Sequence, residues 1–202
     1  RGEGGTWQDW SGTVSDFQMA GEDAVRVVAV GREQALLDAR VTEAMHGEPA
    51  DVVARRLLAS TGLPVADIAI PSEVLPHIVF SGVTVAMAVK QLAWTLETSF
   101  GHDMSKHAVW LGESGLYWSD GDEPGDIPII ESAENLISHS PNPSGMSEVV
   151  ATVIPGLTHS RIARIRDSRR QFSELVRAQE VIHSLSEHDT TTIRYGSDEG
   201  WA

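Results

Sequence analysis

The sequence predicts an α+β chain, mostly β, with its helices confined to the middle. Three observations carry that prediction. Apolar residues recur at helical spacing in two central stretches only. Short runs rich in β-branched residues lie on both sides of them, and Gly, Pro, Asn and Ser clusters punctuate the runs.

Val25 to Val30 (VRVVAV) is a β-branched run closed by Gly31, and predicts a strand. Gln34 to Ala44 fits strand and helix equally. Gly47, Glu48 and Pro49 then punctuate the chain. Pro49 suits the first position of a helix, with Ala50, Val53, Ala54, Leu57 and Leu58 on one buried stripe and Gly62 as its C-terminal cap. A loop with Pro64, Pro71 and Pro76 leads to a short strand at His77 to Phe80. Thr84 can cap a second helix, whose shared face is Val85, Val89, Leu92, Ala93 and Leu96 and whose end is Gly101.

Ala108 to Leu111 and Leu116 to Trp118 flank GESG and predict a hairpin. From Ile127 short strands alternate with turns: Met146 to Ile154 ending at Pro155 and Gly156, Arg161 to Arg166, Glu174 to His183, and Thr190 to Tyr195. In Arg161 to Arg166, Ile162 and Ile165 are expected to pack while the arginines face outward. No internal repeat of 20 to 50 residues is evident.

Length and composition narrow the function classes. A chain of 202 residues with 41% hydrophobic content can bury a core. No stretch approaches the roughly 18 uninterrupted apolar residues of a membrane span, so no membrane insertion is expected. The opening Arg1 and RGEGG lack an initiator Met and a signal-peptide profile, and read as a chain whose beginning is missing.

Cysteine is absent, which excludes thiolate and disulfide chemistry. A formal charge of −14 argues against stable nucleic-acid binding. There are 29 acidic residues against 15 basic ones, and only Lys90 and Lys106 are lysines. That balance suits a high-salt cell as well as it suits an Arg-favouring genome.

Several motifs invite chemistry and fall short of it. His102, Asp103 and His107, and His183, His188 and Asp189, are the densest histidine groups, but neither has the i, i+4 pair of a zinc-binding helix. Asp120, Asp122, Glu123 and Asp126 form an acidic loop that could offer oxygens to calcium, yet without EF-hand spacing; a solvated turn is the simpler reading. Ser114 in GESG does not fit G-x-S-x-G and reads as a hairpin turn. The opening GEGG has no strand before it and no helix after it, so a phosphate loop has no support.

No catalytic, metal or cofactor-binding residue is therefore assigned. Six of the fifteen basic residues fall between Arg161 and Arg177. Arg161, Arg164, Arg166, Arg169 and Arg170 are the candidate subunit-interface residues, with a solvated face as the alternative. Trp7, Trp10 and Trp201 near the ends suit a core or an interface.

Taken in order, three stretches resemble the tail hub family of phage tails, which includes the late-control and baseplate hub proteins and the hub part of type VI spike proteins. The stretches are GEPADVVARRLLASTGL (Gly47 to Leu63), SGVTVAMAVKQLAWTLETSFG (Ser81 to Gly101) with its following hairpin, and Asn135 to Gly196. The resemblance implies two tube-like β-barrel units, the first incomplete, with a helix-containing α/β insertion between them. The divisions it implies are 1–46, 47–130 and 131–202.

It further implies a non-enzymatic homotrimer joining the tail tube to a spike or baseplate, lining a channel for DNA or effectors. The location implied is the virion tail, with assembly in host cytoplasm, and a provirus is a natural source. The missing start and the Arg-rich turn at Asp167 to Arg170 depart from the pattern. Competing readings are a metal-dependent hydrolase using His183, His188 and Asp189 or the acidic loop, and a carbohydrate-binding tail module.

Overall fold

The alternation of turn residues and β-branched runs resolves, among the described residues, into fourteen strands and three α-helices in a computed structural model. The structure describes residues 12–19, 25–121, 126–184 and 189–196. The chain divides into two units that meet at Asp120 and Gly121.

In the first unit, β1 (Gly12–Met19) and β2 (Val25–Gly31) form an antiparallel hairpin with a bulge between Val14 and Asp16. The ambiguous segment after it splits. Arg32–Gln34 is a 3₁₀ turn, Ala35–Asp38 is a short α1, and Arg40–Pro49 is β3. The expected break at Gly47 to Pro49 is absent, because β3 runs straight into α2 (Ala50–Ala59), with Pro49 extended at the cap position. The buried residues of α2 are the five expected from spacing. The helix stops at Ala59, and Gly62 adopts a positive φ of 75° three residues later.

The proline-containing loop is more ordered than expected. It holds β4 (Val65–Ile68) and the start of β5 (Val74–Thr84), an eleven-residue strand that includes Pro76. Pro76 is tolerated because β5 has one ladder partner, β3, leaving its other edge without a strand. Helix α3 (Val85–Phe100) begins where Thr84 Oγ1 accepts the Met87 N–H at 3.3 Å, and ends at Gly101 with a left-handed φ of 78°.

Both helices bury their stripes together with Val41, Met45, Leu75, Ile78 and Phe80 of the β3–β5 ladder. β6 (Ala108–Gly112) and β7 (Gly115–Ser119) form the expected hairpin, with Ser114 in its two-residue turn. β4 joins β7 in parallel. Gly115 is obligatory there: its φ is 137°, and a Cβ would stand 2.5 Å from the Pro64 carbonyl oxygen that accepts the Leu116 N–H.

The second unit has a four-stranded sheet, β13–β14–β10–β9, and a three-stranded sheet, β12–β11–β8. The strands are β8 (Ile129–Glu131), β9 (Leu136–Ser140), β10 (Ser147–Thr152), β11 (Ile162–Asp167), β12 (Phe172–Arg177), β13 (Glu180–Ser184) and β14 (Thr190–Tyr195). Residues of both sheets share one core around Ile130, Val149, Ala163, Ile165 and Ile193.

The expected single strand from Glu174 to His183 is two strands. The Ala178 N–H donates to Arg161 O at 2.9 Å, and the next N–H, of Gln179, donates to Arg194 O at 2.8 Å. The backbone thus leaves one sheet and joins the other between adjacent residues, which ends β12 and starts β13.

The fold class holds: the chain is α+β and mostly β. Among the described residues the strands sort into five open sheets of two to four strands, and no closed barrel forms.

Candidate functional site

The arginine cluster begins with strand alternation. Successive residues of β11 face opposite sides, so Ala163, Ile165 and Asp167 turn into the core while Ile162, Arg164 and Arg166 share the outer face. Ile162 and Ile165, three residues apart, therefore cannot pack on one side; Ala163 takes the place expected for Ile162.

Register places Arg164 opposite Ile129 of β8 and Leu175 of β12, which are 44% and 50% exposed. Arg166 stands opposite Glu131 and pairs with it at 3.2 Å. Arg170 Nε lies 3.4 Å from Asp167, and Arg177 donates to the carbonyls of Ser160 and Gly121 at 2.7 and 2.8 Å. Arg161 lines a groove with Asp126, Pro128 and Leu157. Among the described residues no ion pair joins the side chains of Arg164 or Arg169. The cluster is thus divided between arginines spent inside the chain and two that carry their charge outward, one of them in an apolar row.

A second polar centre lies in the core and was not legible in the sequence. His139 of β9 is buried, with Nδ1 3.0 Å from Asp167 Oδ2 and Nε2 2.6 Å from the Tyr195 hydroxyl. Asp167 Oδ1 also accepts the Arg169 N–H at 3.1 Å. Burial pushes the Asp167 carboxyl up, but the hydrogen bond from His139 and the N–H groups of Arg169 and Arg170 outweigh it and hold the carboxyl below its ordinary range. Burial pushes the Tyr195 phenol up, with Glu174 and Asp167 adding and Ser147 opposing.

An ionised Asp167 makes Nδ1 the protonated nitrogen of His139, so Nε2 accepts from Tyr195. The order carboxylate, imidazole, hydroxyl matches a nucleophilic relay. Here its end is a buried phenol with a raised pKa, a poor nucleophile. The chain of bonds ties β9 and β14 of one sheet to β11 of the other, with the Phe172 ring edge-on to His139 at 4.9 Å.

Among the described residues the histidines expected to group from sequence do not form a three-ligand cluster. His102 Nε2 is 2.9 Å from Glu73, while Asp103 accepts from the backbone and hydroxyl of Ser105. Both nitrogens of His183 are engaged, by Thr191 Oγ1 at 3.0 Å and by Leu157 O at 2.9 Å, so it cannot serve as ligand or base without breaking core bonds. Among the described residues no group of three or more His, Asp or Glu could hold a metal. His188, Asp122, Glu123, Trp7, Trp10, Trp201 and GEGG lie outside the described residues. Of the other tryptophans, Trp110 and Trp118 are core and Trp94 is exposed on α3.

Among the described residues the β1–β2 hairpin carries the exposed large apolar side chains Val14, Phe17, Met19, Val27 and Val28. Every residue of β1 is exposed. Val14 and Phe17 stand opposite Ala29 and Val27, and Met19 shares their face, so among the described side chains this face of the ladder is apolar.

Comparison with solved structures supplies the context. A tail protein from Neisseria meningitidis superposes with a TM-score of 0.63 at 12% identity, covering 95% of this chain and 81% of its own. A 43 kDa tail protein of prophage MuSo2 from Shewanella oneidensis gives 0.64 at 10%, covering 92% and 77%. The chain has the fold of these phage-type tail proteins. An E. coli component of the type VI secretion system, described as structurally similar to bacteriophage T4 tail proteins, shares that fold with a TM-score of 0.58 at 10% identity, covering 94% of this chain and 61% of its own. No family model and no curated protein matches this chain in sequence.

Proposed function

We propose that the chain is a structural hub of a phage-like tail or contractile injection machine and acts by assembly rather than by catalysis. In this reading it forms a homotrimeric ring that joins the tail tube to a central spike or baseplate. It is carried in the virion tail after assembly in host cytoplasm. The segments 1–46 and 131–202 contribute tube-like walls that close only between neighbours.

The observation that carries the reading is the β1–β2 hairpin. A two-stranded ladder is marginal in water alone and needs a covered face. Its apolar side, with Val14, Phe17, Met19 and Val27 54% to 65% exposed, suits burial against another subunit. The row Ile129, Arg164 and Leu175 suits a second contact, since interfaces favour arginine among apolar neighbours. The charge of −14 suits a channel through which DNA passes without being held. Threefold closure covers strand edges that would otherwise aggregate.

Electron micrographs of the concentrated protein test the proposal. Threefold rings with a central opening are expected; dispersed single particles of monomer size at every concentration and salt would overturn it.

A further inference from the structure

We propose that His46 and His77 form a two-imidazole site for a divalent late transition metal ion. The register of the β3–β5 ladder sets these two residues, 31 positions apart, directly opposite each other. Their neighbours Met45 and Ile78 turn into the core, so both imidazoles stand on the solvent face. Helices α2 and α3 pack on the other face, which makes the ladder a rigid base.

The two rings are near-parallel at 21°, with centres 6.1 Å apart. A zinc–imidazole bond is about 2.0–2.1 Å, and the ring centre lies roughly 1 Å further, so two rings sharing one ion have centres about 5–6 Å apart. The observed spacing is at that range. Stacked rings do not aim their nitrogens at one point, but rotation about histidine χ2, a broad torsion, brings one nitrogen of each to a common position.

Four other rings among the described residues are engaged, which sets this pair apart from them. His102 bonds Glu73, His139 bonds Asp167 and Tyr195, His159 bonds Ser160, and His183 bonds Thr191 and Leu157. Among the described residues no hydrogen bond engages the rings of His46 or His77. Imidazole pairs favour Cu²⁺, Ni²⁺ and Zn²⁺ over the hard cations. The acidic chain attracts cations, and water completes the coordination.

Calorimetric titration of the full chain with Ni²⁺ or Zn²⁺ alone at pH 7.5 tests the site, with thermal unfolding and amide NMR as companion readouts. One ion per chain is expected, together with a higher melting temperature, because the ion binds the folded ladder and not the separated strands. Ni²⁺ should broaden the amides of His46 and His77 before any others. His46→Gln and His77→Gln, both at exposed positions, should each weaken binding on the order of tenfold or more, without changing metal-free melting. No saturable binding in the wild-type chain would overturn the proposal. So would equal binding by the double variant, which would place the ion on other histidines.

Discussion

The two two-stranded ladders of this protein have comparable lengths and opposite circumstances. β3–β5 buries Val41, Met45, Leu75, Ile78 and Phe80 beneath two helices, whereas β1–β2 leaves Val14, Phe17, Met19 and Val27 in water. Both carry an apolar face, and among the described residues of this unit only the β3–β5 face is covered. The difference teaches that apolar patterning specifies a face to be buried without saying which molecule buries it. In the proposed assembly the hairpin face is the one a neighbouring subunit would bury.

Substitutions can separate stability from assembly along this line. Phe80→Ala, in the covered ladder, should cost the folded chain about 3–5 kcal/mol in denaturant unfolding. His139→Ala leaves Asp167 and Tyr195 buried without their shared partner, and a loss on the order of 3 kcal/mol is expected. A small loss there would mean that the buried bonds do not couple the two sheets.

The same centre sets a pH dependence. The folded pKa of Asp167 is depressed, so its stabilisation is complete above the ordinary aspartate value of about 3.9 and is lost as pH falls through the folded value. Unfolding titrations of the wild-type chain below about pH 4 should show this loss. The Asp167→Asn variant should be weaker at neutral pH and should lack that part of the acid slope.

Smaller effects on the monomer are expected at the outward faces. Arg164→Glu should weaken assembly more than Arg166→Glu, since Arg166 is already paired with Glu131. Each should change monomer stability by no more than about 0.5 kcal/mol. Equal effects on assembly would show that the apolar row beside Arg164 is not a contact.

The sequence revealed what local rules govern. The stripes of α2 and α3, the Thr84 cap, the Gly101 end and the Ser114 turn follow from spacing and turn chemistry within a few residues. What escaped it depends on distant pairing. β4 is four residues beside a proline and is held by β7, some fifty positions later. The break at Ala178 and Gln179 arises because consecutive N–H groups bond different sheets, and no residue there is a turn former. His139 carries no local signal, since its partners come from β11 and β14. The arginine cluster was visible as charge, but which members are spent internally emerged only from the register.

The claim that the hairpin face closes on a neighbouring subunit is tested most directly by sedimentation of the wild-type chain beside Phe17→Asp. The wild-type protein should approach three times the 21.9 kDa monomer mass as concentration rises, and the variant should stay near 21.9 kDa with unchanged melting. A wild-type chain that sediments as a monomer throughout, or a variant that assembles as well as the wild type, would contradict it.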